Sequence, residues 1–167
     1  MYMGHFSIAL GGRRWLRPLP LAWLLFVSVE PDLHDAIGSM IPALSIGVFT
    51  HTLFGFAIEA VIGALITLIA FRSLPLALGV GALLLSHLAA DLITSRLLLW
   101  RGGPTAGLHL YTIHWADFAL EATVIVIGVA LYSTSPDLRR PTRSSVIGMC
   151  ALMLVLQAVW DFGIGAG

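Results

Sequence analysis

The chain has 167 residues, of which 58% are hydrophobic and only 11% charged, and its mean hydropathy is +0.93. A soluble domain is about 45–50% apolar and about 25% charged, so this composition excludes an ordinary soluble domain and a disordered chain. Nine Arg, no Lys and nine carboxylates give zero net charge, which excludes a nucleic-acid binder driven by basic charge; the lone Cys150 excludes an internal disulfide.

What remains is an integral membrane protein. The expected organisation is one domain over residues 1–167, an all-α polytopic bundle of four to five membrane-embedded helices. A crossing helix needs about 20 apolar residues, with about 17 as the short limit. Met1 to Leu10 is a short apolar segment that packs as an N-terminal helix against the bundle. Leu19 to Val29 is too short to cross alone before Glu30-Pro31-Asp32. It reads as half of a broken or re-entrant segment, with Ala36 to Val48 as the other half, and such breaks survive only where protein or water covers the freed backbone. Arg13, Arg14 and Arg17 before this stretch mimic a signal peptide, but no small-x-small cleavage site follows.

Four longer segments come next: Leu53 to Phe71, Leu74 to Leu92 or a little beyond, Phe118 to Tyr132 extended back through Trp115, and Val146 to Phe162. Polar stretches separate them, and Arg101-Gly102-Gly103-Pro104 is a turn. If the first segment crosses, Arg13, Arg14, Arg17, Arg72, Arg139, Arg140 and Arg143 share one side, leaving Arg96 and Arg101 on the other. The positive-inside rule makes the richer side cytoplasmic. Trp15, Trp23, Trp100, Trp115 and Trp160 fall at segment ends, as interfacial anchors do.

Six His and nine carboxylates need a reason in so apolar a chain. On this topology Asp32, Asp35, His51, His87, Asp91, His109, His114 and Glu121 gather near the non-cytoplasmic side. His87 and Asp91 stand four apart, one turn along a helix face. That spacing suits two ligands of one metal, a His oriented by a carboxylate, or a buried structural pair. Asp32 and Asp35 follow a helix stop and suit either ligation or capping of the next helix. His51 heads a span, as a ligand or an interfacial polar residue. His5 has only apolar neighbours in sequence, which suits a satisfied core histidine. Glu59 lies on nearly the face of His51 but deeper, where a protonated acid bonded to another helix is the alternative. Glu121 follows Asp117 at four residues and suits a general base, a further ligand or a buried acid. A mixed set of imidazoles and carboxylates fits zinc, or manganese and iron, rather than a thiolate site. Five or more such ligands hold one metal, or two about 3.5–4 Å apart as in phosphoester hydrolysis.

At these residues the chain resembles the YdjM-like family of bacterial inner-membrane proteins, held to be metal-dependent hydrolases distantly similar to zinc-dependent phospholipase C. The matching pieces are Gly4-His5-Phe6, Pro31-Asp32-Leu33, Thr50-His51-Thr52 and Ser86-His87-Leu88-Ala89-Ala90-Asp91-Leu92, with Gly102-Gly103-Pro104, Gly107-Leu108 and Glu121 similar to a subgroup's tail. The resemblance implies His5, Asp32, His51, His87 and Asp91 as metal ligands and a multi-pass inner-membrane location. Ile46, Gly47 and Val48 depart from it, standing where the family often has His-Arg-Gly. His34 and Asp35 stand where it often has Asp-His.

The expected function is a divalent-metal hydrolase, with zinc the first expectation, acting on a lipid or amphiphilic ester. Glu121 or Asp35 takes the proton from the attacking water. Its partners are the lipid bilayer and no nucleic acid, with a homo-oligomer or a larger membrane complex as the assembly. The alternatives are a small transport or ion-handling protein, an accessory subunit, and a haem protein, for which no His pair stands at a known spacing.

Overall fold

The computed structural model describes residues 2–41, 51–136 and 141–164, apart from the side chains at 35, 39 and 164. In chain order its elements are α1 (Met3–Gly12), α2 (Leu21–Met40), α3 (Leu53–Phe71) and α4 (Leu74–Thr94). A short hairpin of β1 (Leu97–Leu98) and β2 (Thr105–Ala106) follows, then α5 (His114–Ser133) and α6 (Arg143–Val159), which continues as a π-helical turn at Trp160–Ile164. Among the described residues that hairpin is the whole of the sheet, so the fold is an all-α bundle. The four expected spans are present as helices long and apolar enough to cross a membrane: Leu53–Phe71, Leu74–Thr94, His114–Ser133 and Arg143–Gly163.

The expected break at Glu30-Pro31-Asp32 is corrected by the structure: α2 runs unbroken from Leu21 to Met40 with Pro31 inside it. Proline lacks the N–H that would bond the carbonyl of Val27 and crowds that carbonyl, which ordinarily kinks or ends a helix. In an apolar bundle, side chains of neighbouring helices satisfy carbonyls loosened in this way. Here the next carbonyl, that of Ser28, accepts a hydrogen bond from His87. Residues 42–48 of the supposed second half lie outside the described residues.

The chain, read from sequence as one domain, divides into two compact units, Phe26–His109 and Met1–Leu25 with Leu110–Gly167. In the first, α3 and α4 pack as an antiparallel hairpin. Thr52 caps α3 by accepting from the Gly55 amide at 2.9 Å, as an N-cap hydroxyl does. Arg72 ends α3 in the left-handed conformation, with φ 51°, and Pro75 opens the first turn of α4, where its missing N–H is harmless. At the other end of the hairpin the β1–β2 turn closes back: Leu98 bridges Thr52, and the Leu108 amide donates to Leu92 at 2.8 Å. Gly107 permits this return. Its φ is +133°, and a Cβ there would lie 2.1 Å from the Ser95 carbonyl oxygen.

In the second unit α1 lies against α5. A Cβ at Gly128 would lie 2.2 Å from the Ser7 carbonyl oxygen, so the two backbones meet where only glycine fits. Met3, Leu10, Ile125, Val129 and Met153 form the apolar core around this contact. Outward faces stay apolar, with Val61, Ile62, Leu65 and Ile69 of α3 and Leu152 and Val155 of α6 exposed. That is the surface hydrocarbon requires and water penalises.

Candidate metal centre

The middle of α2 and two helix ends of the Phe26–His109 unit build the site. α2 supplies Asp32, the residue before the α3 cap supplies His51, and the last turns of α4 supply His87 and Asp91. His51 Nε2 stands 3.3 Å from Asp32 Oδ1 and 3.8 Å from Asp91 Oδ2. His87 Nε2 stands 3.6 Å from the same Asp32 oxygen and 3.2 Å from the same Asp91 oxygen. Two imidazole nitrogens and two carboxylate oxygens thus face one another in a ring.

Asp91 and His87 are near by helix periodicity, as their spacing predicted. The other two arrive by packing. The Thr52–Leu98 bridge and the bond from the Phe54 amide to the Leu99 carbonyl, 3.3 Å, dock the start of α3 beside the end of α4. Phe56, on the first turn of α3, sits with its ring centroid 5.6 Å from that of His51 and 5.3 Å from that of His87. With Leu88 and Leu97 it makes an apolar wall that holds both rings.

His87 Nδ1 lies 2.7 Å from the Ser28 carbonyl oxygen. A carbonyl only accepts, so Nδ1 carries the proton and the lone pair of neutral His87 is on Nε2, aimed at the ring. A backbone carbonyl behind the distal nitrogen is the usual support of a metal-binding His. Side-chain exposure is graded across the site: 1% at His87, 7% at Asp91, 21% at His51 and 41% at Asp32. The site therefore has a closed floor on α4 and an open side at Asp32.

The donor set fits a metal. Ligands 2.0–2.2 Å from a tetrahedral zinc stand about 3.4 Å from one another along each edge. The four N–O separations here run from 3.2 to 3.8 Å. Asp32, His87 and Asp91 also offer ligand atoms within 4.8 Å of one another. The buried His/Asp cluster can hold a metal ion, and its N/O character admits zinc, manganese or iron alike.

Among the other residues singled out in the sequence, His5 is buried on α1 of the other unit. Asp35 lies on α2, with its side chain outside the described part. Glu121 lies on α5, where it accepts from the Tyr2 amide at 3.1 Å and the Gly4 amide at 3.1 Å, capping the N-terminus of α1. Glu59, read as a deep acid bonded to another helix, belongs to a second half-buried group with residues of α2: His34 Nδ1 lies 3.1 Å from Glu30 Oε1 and 3.8 Å from Glu59 Oε1. Glu30 and His34 carried a legible signal, since they too stand four apart on α2. The supporting carbonyl of Ser28 carried none, because any residue type supplies a carbonyl. Comparison with known protein families, characterised proteins and solved structures finds no match to this chain, so the YdjM-like resemblance rests on the quoted motifs alone.

Proposed function

We propose that Asp32, His51, His87 and Asp91 form the divalent-metal centre of a membrane-embedded hydrolase acting on a lipid or amphiphilic ester or phosphoester. The observation that carries this reading is the single ring of two Nε2 and two carboxylate oxygens at ligand-edge spacing, set on the Ser28 support. A metal bound there supplies a Lewis acid and lowers the pKa of bound water to about 7. His87 and Asp91 are the fixed, buried part of the ligand set, held by α4. His51 closes the set from the α3 cap. Asp32, the most exposed member, faces the incoming ester, and its second carboxylate oxygen, the one outside the ring, is the atom best placed to take a proton from water. Its position at one end of the α3–α4 hairpin, opposite Arg72, suits a substrate whose head lies at the membrane boundary and whose tail lies along the exposed apolar faces. By the positive-inside rule that boundary is the non-cytoplasmic one, with the chain multi-pass in a bacterial inner membrane.

The test is elemental analysis of the detergent-purified full chain, followed by assay against a panel of phospholipids and acyl esters. Stoichiometric zinc, manganese or iron with metal-dependent hydrolysis supports the proposal. A metal-free chain after growth and purification in metal-replete, chelator-free conditions sinks it. One observation favours a second reading, ion handling: the Glu30–His34–Glu59 group continues the ionisable residues along α2 and α3 beyond His51. Full metal occupancy, no hydrolysis of any ester, and metal flux into reconstituted vesicles would favour it.

A further inference from the structure

The unit containing α1, α5 and α6 holds a second buried cluster that the proposed hydrolase does not use. Asp117 and Glu121 stand four apart on α5, and Asp161 lies in the π-helical turn after α6. Their exposures are 1%, 0% and 4%. Each offers a carboxylate oxygen within 4.8 Å of the others.

Two of the three are fixed by donors. Glu121 accepts from the α1 amides, and Asp161 Oδ1 accepts from Gln157 Nε2 at 2.8 Å. Gln157 is in turn oriented by the Met3 amide, which donates to its Oε1 at 2.9 Å. The third is different. Neither oxygen of Asp117 has a hydrogen-bond partner among the described residues, and neither does Asp161 Oδ2. A buried, unpartnered carboxylate loses its hydration with no return and calls for an explanation. A cavity of about 280 Å³ lined by Tyr111, His114, Trp160 and Asp161 leads to the cluster. Trp160, which lines it, is held in place by stacking on Tyr2, centroids 4.6 Å apart and planes 11° from parallel.

We propose that Asp117, Glu121 and Asp161 form a second cation site, selective for a hard divalent ion of calcium size. Three carboxylates with no nitrogen or sulfur donor favour a hard cation over zinc. Calcium takes oxygen ligands at 2.3–2.6 Å, so opposite ligands lie about 4.6–5.2 Å apart, and the cluster fits inside that span. Asp117 points its unshared oxygens at the ion, Gln157 positions Asp161, and the cavity supplies the water that completes a shell of six to eight. The bound ion ties the α1 N-terminus, α5 and the end of α6 together within this unit.

The experiment uses the full chain in detergent, stripped with chelator and carrying Asp91→Asn so that the His/Asp centre is removed from the reading. Calcium binding is followed by equilibrium dialysis, and terbium is read by its emission sensitised through Trp160. The proposal expects one calcium per chain, displacement of terbium by calcium, and affinity lowered by about tenfold or more in Asp117→Asn and in Asp161→Asn, the loss typical of removing a ligand or its support. Trp160→Phe should quench the terbium emission while calcium still binds. Absence of calcium, manganese and terbium binding at about millimolar ion, the weak end of protein calcium sites, would overturn it. So would calcium affinity unchanged in Asp117→Asn. If Asp117→Asn fails to fold, Asp161→Asn decides alone. The His/Asp centre stands or falls separately, on zinc content in the chain with Asp91 intact.

Discussion

The Nδ1 nitrogen of His87 donates to the Ser28 carbonyl oxygen across 2.7 Å, joining α4 to the turn of α2 that precedes Pro31. This bond fixes the ring, fixes the tautomer, and leaves Nε2 facing Asp91 and Asp32. A backbone carbonyl of one helix thus holds a ligand of another still.

Asp91→Asn keeps size and most hydrogen bonding but removes the charge that a metal needs. Bound metal should fall by more than the about 10–100-fold lost on removing a mere support, with helical content intact by circular dichroism. Unchanged metal content together with a lower melting temperature would make His87 and Asp91 a structural pair instead.

His87 and Asp32 should respond differently because their burial differs. His87→Ala removes the buried imidazole that donates to the Ser28 carbonyl and faces the Asp91 carboxylate, and should lower stability by about 1–3 kcal/mol even in chelator. Asp32→Asn, on the open side, should change stability by about 0.5 kcal/mol or less while abolishing hydrolysis. Thermal melts of both variants with and without chelator separate the two effects. Equal destabilisation would contradict the graded site.

Gly128→Ala should weaken the α1–α5 contact, since its Cβ would lie 2.2 Å from a backbone oxygen that has nowhere to move. Overpacking of this kind costs about 1–3 kcal/mol. Gly148→Ala, on α6, meets nothing within 4 Å and should be neutral or stabilising, because alanine is the better helix former by about 0.5–1 kcal/mol. A melt in which the two variants behave alike would mean the backbones do not meet at Gly128.

Orientation is testable by cysteine labelling in intact cells, on a Cys150→Ser background. Arg101→Cys, beyond the end of α4, should label from outside, and Arg72→Cys, at the α3–α4 turn, should not. Both positions are exposed and stand at opposite ends of α4. The reverse pattern would put the His/Asp centre at the cytoplasmic face.

Hydropathy and helix periodicity alone determined much of this protein. The span from Leu53 to Phe71 coincides with α3, and the spans around His87, Glu121 and Gln157 differ from α4, α5 and α6 by only a few residues at their ends. The His87–Asp91 and Asp117–Glu121 pairs were equally legible. These properties depend on residues within a turn or two of each other, and local sequence fixes them. The rest needed the tertiary structure. Pro31 read as a break because a missing N–H is a local signal, whereas whether neighbouring helices keep the segment helical is decided by packing. Glu121 read as a base because the α1 amides that occupy it are remote in sequence. Asp161 has no ionisable neighbour in its own stretch of sequence, and only packing sets it beside Asp117. Which carboxylate meets which imidazole is decided by the docking of the start of α3 beside the end of α4, and the α1–α5 contact by the fit of Gly128 on Ser7. Those contacts depend on the fit of distant surfaces, which no local pattern encodes.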